Sequence, residues 1–540
     1  MNNQHLPAVA YFSMEYGLHQ DFKIYAGGLG ILAGDFIKGA KDLGVPLIGI
    51  GIRWKQGYTE QRIDHEGKPY DTFVDQEYDF LEDTGVRLTV TVKDAEVPCK
   101  VWKTERFDNN PLYLLDADVD ESPHGWITAR LYGGSSEERI AQEIVLGIGG
   151  VKAIRALDLE IDVYHFNEGH AALAATELIR EKMAGGLSFE SAWRKTREEV
   201  VFTTHTPVKE GNEAHALDLL AAMSAYNGLS REQMEQIGGN PFNMTVAGLR
   251  LSRRSNAVAA LHAQTANRMW KDVHGRSEII GITNAIHLPT WADPRITQAY
   301  ENGGDLWAVH TELKHELIHW IRQHSGVALN AKRLLIGFSR RAAPYKRSDL
   351  IFSQPELITP YLESGQLQIV FSGKAHPNDE TGKQIVSRLV AMMKKYPGSV
   401  VFLENYDMLI GAKLTRGVDV WLNNPRRPLE ASGTSGMKAA VNGVLNCSIL
   451  DGWWPEACLD GENGWQIGDG FESNDIHELD RHDGAALYDT ILQRVLPTYY
   501  HDQTRWVQMM RKSIETTREA FSTRRMLLDY YEQLYQPLRK

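Results

Sequence analysis

Both halves of this 540-residue chain alternate short apolar runs with amphipathic helical stretches, and that alternation constrains the fold more than any other feature. In the first half, residues 9–15 read as a strand. A polar loop leads to Ala26-Gly27-Gly28-Leu29-Gly30, which opens an apolar-periodic helix from Ile31 to Leu43. Gly44 stops the helix, and Val45–Ile52 follows as a buried strand. Ile161–Phe166, Glu199–Thr203 and Glu278–Thr283 repeat the strand pattern. The second half restarts it at Arg333–Phe338, Ile369–Ser372, Ser399–Leu403, Val418–Leu422 and Val444–Leu450. Near-continuous apolar runs separated by helices are the mark of parallel strands covered on both faces. An α/β protein follows, and in open α/β sheets ligands lie beyond the carboxyl ends of the strands.

Two regions break the rhythm. Residues 55–118 alternate with period two over Val86–Val92 and Val97–Lys103, with turn signals at His65-Glu66-Gly67 and Asp108-Asn109-Asn110-Pro111; they read as a small antiparallel insertion. Pro289–Leu329 is polar and helical, as expected of a crossover between domains. The length calls for two to four domains. A net charge of −12 argues against a broad nucleic-acid or anionic-membrane surface. Three sparse cysteines, Cys99, Cys447 and Cys458, point away from a disulfide framework and toward a reducing, cytoplasmic setting. The first residues carry no basic start or long apolar segment, so no signal peptide is expected, and no apolar run reaches the length of a membrane span.

Three loops hold chemistry. In Glu430–Gly443, E-A-S-G-T-S-G-M-K-A-A-V-N-G, a small-residue loop from Ser432 to Gly436 enters a helix. Unpaired amides at such a start favour an anion, and glycines let the backbone come close to it. Lys438, in the first turn, could pair with that anion or form a Schiff base with a carbonyl cofactor. The loop after Arg333–Phe338 places Arg340, Arg341, Lys346 and Arg347 within eight residues, a dense basic patch in an acidic chain. His205 follows the strand Glu199–Thr203. His165, Glu168 and His170 lack the H-E-x-x-H spacing of a zinc helix, so no metal site is expected there.

Glu430–Gly443 resembles the cofactor-lysine segment of the α-glucan phosphorylases, E-A-S-G-T-x-x-M-K followed by a small-residue helix ending in N-G. The S-G before Met437 is similar to the shorter bacterial and archaeal branch. Y-A-G-G-L-G-I-L-A-G-D resembles the family's G-N-G-G-L-G-R-L-A, Asn167-Glu168-Gly169-His170 its N-D-T-H, Thr204-His205-Thr206 its N-H-T, and Thr283-Asn284 its T-N-G. R-R-A-A-P-Y-K-R resembles K-R-I-H-E-Y-K-R, and L-E-N-Y matches at Tyr406. The likeness runs from about Ala8 to about Trp454. It implies a GT-B fold: two Rossmann-like domains facing a cleft, residues 1–295 and 296–500, with 501–540 crossing back as a C-terminal helix.

The resemblance also implies function: phosphorolysis of α-1,4-glucan or maltodextrin by inorganic phosphate to glucose 1-phosphate, with retention, using pyridoxal 5'-phosphate. It makes His205, Arg341, Lys346 and Lys438 catalytic. Cofactor contacts fall to Lys438, Gly433, Thr434, Tyr406, Lys346 and Gly28; the sugar and phosphate fall to Gly27, Gly28, Glu168, His170, Asn284, Glu430, Ser432 and Gly433. The family's I-H-E histidine and R-R pair have no counterpart, and its usual N-terminal extension is expected to be missing. Oligomeric state, effectors and preferred glucan stay open. Two other readings remain: a nucleotide-sugar-dependent GT-B synthase, which needs no Schiff base, and a catalytically silent glucan-binding homologue.

Overall fold

The computed structural model describes residues 6–120, 122–208 and 211–537. They form two compact units. The first takes the chain up to Tyr58, Phe73–Asn284 and the segment from Thr523 onward; the second takes Thr59–Thr72 and Ala285–Ser522.

The first unit is built on a nine-stranded sheet. Across it lie Ile279–Gly281, Arg254–Ala257, Val200–Thr203, Val163–Asn167, Val9–Phe12, Leu47–Ile52, Leu112–Asp116, Ala95–Thr104 and Glu82–Val92. The first seven of these are mutually parallel. Counted along the chain, the parallel strands stand in the order 3-2-1-4-5-6-7 when read from Leu112–Asp116. The order reverses beside Val9–Phe12, so the crevice for a ligand opens past Phe12 and Asn167.

The second unit repeats the plan with six parallel strands: Val400–Leu403, Leu367–Ser372, Leu334–Ser339, Val420–Asn423, Leu445–Ile449 and Gly464–Ile467. Their order is 3-2-1-4-5-6, the dinucleotide-fold order, with its reversal between Leu334–Ser339 and Val420–Asn423. The apolar run is apolar for a reason. Leu334, Ile336 and Phe338 face one core cluster, while Leu335 faces the other with Val370, Val401 and Trp421. Burial on both faces leaves no place for the polar half of an alternating pattern.

Three expected boundaries move. Glu82–Val92 and Ala95–Thr104 pair antiparallel, as read, and extend the main sheet from Leu112–Asp116. The hairpin Glu60–Ile63 with Pro69–Thr72 groups instead with the second unit, where Gln61 exchanges hydrogen bonds with Ala375 (3.0 and 2.9 Å) and the Ile63 amide donates to Glu404 (2.8 Å). Period-two alternation reports a half-exposed strand but not which sheet it joins. The break between units falls after Asn284, ahead of the expected 295/296. The helix Gln503–Thr517 stays with the second unit, because Trp506, Met509, Met510 and Ile514 complete its core.

Only the chain from Thr523 returns to the first unit. Its helix Thr523–Asp529 packs on Gly28–Leu43 so closely that a Cβ on Gly39 would lie 2.6 Å from Thr523. Asn256 donates to the Tyr530 hydroxyl at 2.8 Å, and the Tyr535 hydroxyl meets His165 Nδ1 at 2.7 Å. Among the described residues no helix is long and apolar enough to cross a membrane.

Candidate active site

In the second unit the site grows from the strand reversal. Arg340, the first residue past Leu334–Ser339, reaches across to Asn423 at the end of the neighbouring strand (2.6 Å). Its other nitrogen and the Lys346 ammonium both hold the buried Glu430 carboxylate. Burial alone would raise the Glu430 carboxyl, but Arg340 and Lys346 outweigh it and hold the group below the usual carboxylate range. The Glu430 amide in turn donates to Asp451 at 2.9 Å. Burial, aided by the Glu430 charge, pushes the Asp451 carboxyl up to about 7.

Lys438 lies on the helix that follows Glu430 in the chain. The helix starts at Ser435, inside the stretch read as the small-residue loop, which makes Lys438 its fourth residue. Lys438 is only 5% exposed, and its Nζ stands 3.8 Å from the ring centre of Trp291. Asn442, one turn on, fixes that arrangement: its side chain donates to Trp291 O (3.0 Å) and Lys438 O (2.8 Å) and accepts from the Asp293 amide (2.7 Å). Gly433 adopts φ +79°, a left-handed turn that brings the chain back over Glu430. A Cβ on Gly436 would meet Asn446 Oδ1 at 2.7 Å and Trp453 Nε1 at 2.9 Å, so the helix can sit this deep only with glycine there. Ser432 Oγ is buried with no hydrogen-bond partner among the described residues. Tyr406 is pushed up to about 12 by burial and the neighbouring Asp407, and it stays a neutral phenol.

These observations fit an aldehyde-bearing phosphate cofactor: a sheltered primary amine, an aromatic face beside it, an unsatisfied hydroxyl and a cationic cluster in one unit. Sequence reasoning passed over two of the parts. Trp291 lies in the stretch read as a crossover, and its only signal was a lone Trp ahead of Asp293-Pro294. Arg340 was one of four cations, and Arg341 was preferred to it. In the structure Arg340 is turned inward and Arg341 is exposed.

The first unit brings Glu168, His170 and His205 to its own strand reversal, while Asn284 follows the edge strand Ile279–Gly281. Glu15 organises the glycine loop: its carboxylate accepts from the Ala26 and Gly27 amides (2.6 and 3.0 Å) and from the Tyr132 hydroxyl (2.6 Å). Beside Gly27 and Gly28 an added Cβ would meet nothing within 4 Å, so this loop presents open backbone. Tyr132 holds φ +58°, costly for a bulky side chain and a sign that its placement is constrained. Glu15 and Tyr132 were also missed; a carboxylate ending the first strand was their one legible signal.

Glu168 is expected on the sugar wall, yet its carboxylate is engaged internally by the His205 amide (2.8 Å), Thr206 Oγ1 (3.1 Å) and the Gly169 amide (3.1 Å). It ties two strand ends together. The His205 ring meets Asn167 Oδ1 at 2.5 Å, while Asn167 Nδ2 donates to Ser13. That assigns the proton to Nε2 of His205 and leaves Nδ1 as an acceptor. Burial, then the neighbouring His262 and His170, lowers His205 to about 3; the ring is neutral at physiological pH. His170 falls to about 3 through burial and the Arg139 charge. Asn284 is buried, with its amide bonded to Val258 O.

Two sheets of this order, each with its polar cluster at the reversal, define an α/β protein of the GT-B class. The Carbohydrate phosphorylase family model matches residues 295–482, which span the cationic cluster and Lys438. The maltodextrin phosphorylase of Thermococcus litoralis is 38% identical, with 98% of this chain and 70% of the relative covered. The glycogen phosphorylase of Aquifex aeolicus is 34% identical, with 98% and 86% covered. An uncharacterized protein of Methanocaldococcus jannaschii is 36% identical, with 97% and 99% covered. The chain belongs to the carbohydrate phosphorylase family.

Proposed function

We propose that the chain catalyses phosphorolysis of α-1,4-glucan, releasing glucose 1-phosphate with retention of configuration, with pyridoxal 5'-phosphate carried on Lys438. The observation that carries this reading is the buried Lys438 amine over Trp291, in the same unit as Arg340, Lys346 and Glu430. The relatives named maltodextrin phosphorylase and glycogen phosphorylase support glucan phosphorolysis. The cofactor, when bound, supplies a phosphate that can relay a proton to the substrate phosphate.

The rest falls to side chains of this chain. Lys438 holds the cofactor covalently through its amine, with Trp291 packed against that amine. Two phosphates side by side repel strongly, and Arg340, Arg341 and Lys346 are the charges available to offset them. Glu430, paired with Arg340 and Lys346, keeps those cations in place and offers the sugar a carboxylate oxygen. His205, neutral and oriented by Asn167, lends a lone pair at Nδ1 for a sugar hydroxyl rather than a proton. Such a reaction needs no pair of glycosidase carboxylates. The three cysteines are free, which suits a cytoplasmic setting.

Borohydride reduction followed by peptide mapping tests the reading. A pyridoxyl label on the peptide holding Lys438 is expected. Its absence sinks the cofactor assignment and returns the nucleotide-sugar synthase.

A further inference from the structure

Beside the first unit's polar cluster runs a partly buried chain of titratable groups, with Glu143 and His215 at its buried end, that the proposed reaction leaves unused. Glu143, on the helix Ser136–Ile144, is 0% exposed. Glu143, Glu213 and His215 each bring one donor atom within 4.8 Å of the others. His215 Nε2 is 3.0 Å from Glu143 Oε2. Glu143 Oε1 meets no donor among the described residues; its neighbour is the Glu213 carboxylate. Arg139 takes both oxygens of Glu213, at 2.9 and 3.2 Å, and its Nη2 lies 3.2 Å from His170 Nε2. The same guanidinium stands 4.5 Å from the ring of Tyr132, whose hydroxyl donates to Glu15.

The valences of these groups fix where the hydrogens go. A guanidinium only donates, so His170 accepts at Nε2. Two carboxylates with oxygens within 4.8 Å of each other, one served by a single guanidinium and the other by the His215 ring alone, favour sharing one proton. One proton on Glu143 Oε1 completes the bonds among His215, Glu143, Glu213 and Arg139, and His170 Nδ1 stays without a partner among the described residues. His215 Nε2–H donates to Glu143 Oε2, the Glu143 O–H donates to Glu213, and Arg139 donates to both Glu213 and His170.

We propose that Glu143 is a neutral carboxylic acid sharing its proton with Glu213, and that it is a positioning residue that keeps Arg139, and through it His170 and Tyr132, in place for a bound sugar. The positioning role rests on the phosphorolysis reading; the shared proton does not. Burial and the Glu213 charge both raise the Glu143 carboxyl, while burial at Glu213 is outweighed by Arg139 together with His170 and the Glu143 hydrogen bond, which hold it at about 2.

Infrared difference spectroscopy on the full-length protein at neutral pH, wild type against Glu143→Gln, reads the proton directly. A carboxylic-acid carbonyl band that disappears in the variant is expected. Glu143→Leu should lose roughly tenfold in kcat/KM for maltodextrin, and Glu143→Gln, which can accept from His215 and donate to Glu213, should restore it to within about threefold. Should Glu143→Leu fail to fold, the infrared band and Glu143→Gln kinetics still decide. The proposal is overturned by a missing band, by Glu143→Gln as impaired as Glu143→Leu, or by a stoichiometric divalent metal in the purified protein that Glu143→Gln abolishes. A wild type without phosphorolysis overturns the assigned activity instead and leaves the band to be read.

Discussion

Arg340 and Lys346 share one buried carboxylate, and at the scale of single residues this pairing decides how the second unit handles an anion. Arg340→Met should raise the phosphate KM roughly 10- to 100-fold, the worth of a charge-assisted hydrogen bond removed from a sheltered site. Arg341→Met should cost less, because that side chain is exposed. Steady-state kinetics with phosphate as the varied substrate checks both, and a larger loss at Arg341 would restore the sequence-based preference. Asp451 gives a pH test. Its folded carboxyl sits at about 7, above its ordinary value of 3.8, so the folded state binds the extra proton between those limits. Its stabilising contribution is complete below pH 4 and is lost as pH rises through 7. Asp451→Asn should remove that slope, and urea midpoints at pH 4.5 and 7.5 measure it. What the sequence announced here was residue type and position past a strand end. It could not say which of two adjacent arginines turns inward, because that depends on where Asn423 and Glu430 stand in three dimensions.

Elements tell the same story one level up. The helix Ser435–Val441 is held by close packing at Gly436, so Gly436→Ala should destabilise the second unit by about 1–3 kcal/mol and displace Lys438. A lower thermal midpoint together with weaker retention of pyridoxal phosphate is the expected pair of results. The C-terminal return is anchored by aromatic hydroxyls on buried polar groups. Tyr535→Phe leaves His165 Nδ1 without its 2.7 Å partner and should cost about 1–3 kcal/mol, read as a shifted denaturant midpoint. Continuous apolar runs made both parallel sheets legible, since a strand buried on two faces has no polar side to hide. The hairpin Glu60–Ile63 with Pro69–Thr72 was not legible in the same way. Its partners, Ala375 and Glu404, lie more than three hundred residues away, and no local pattern names them. The helix Gln503–Thr517 was misassigned because an amphipathic face shows that a helix packs, not against what.

Over the whole molecule, the two units carry different liabilities. His170, His205 and His262, all in the first unit, are neutral when folded, with pKa values lowered to about 3, 3 and 4. In the unfolded chain each takes a proton near 6.5, so their contribution is present above that value and is lost as pH falls toward 4, at about 1.4 kcal/mol per pH unit per group. Acid should therefore unfold the first unit before carboxylate titration alone would, and hydrogen exchange resolved by segment at pH 5 should show its peptides opening first. Equal protection in both units would count against this. The family itself was readable from the ordered motifs, most of them just past a strand end; the supports of those motifs, Glu15, Tyr132 and Trp291, were not. The most direct test of the whole account is an assay of the purified protein, loaded with pyridoxal 5'-phosphate, for glucose 1-phosphate formed from maltodextrin and inorganic phosphate, run beside Lys438→Ala. The account predicts phosphate-dependent release by the wild type and none by the variant; glucan binding without release, or equal release by both, would contradict it.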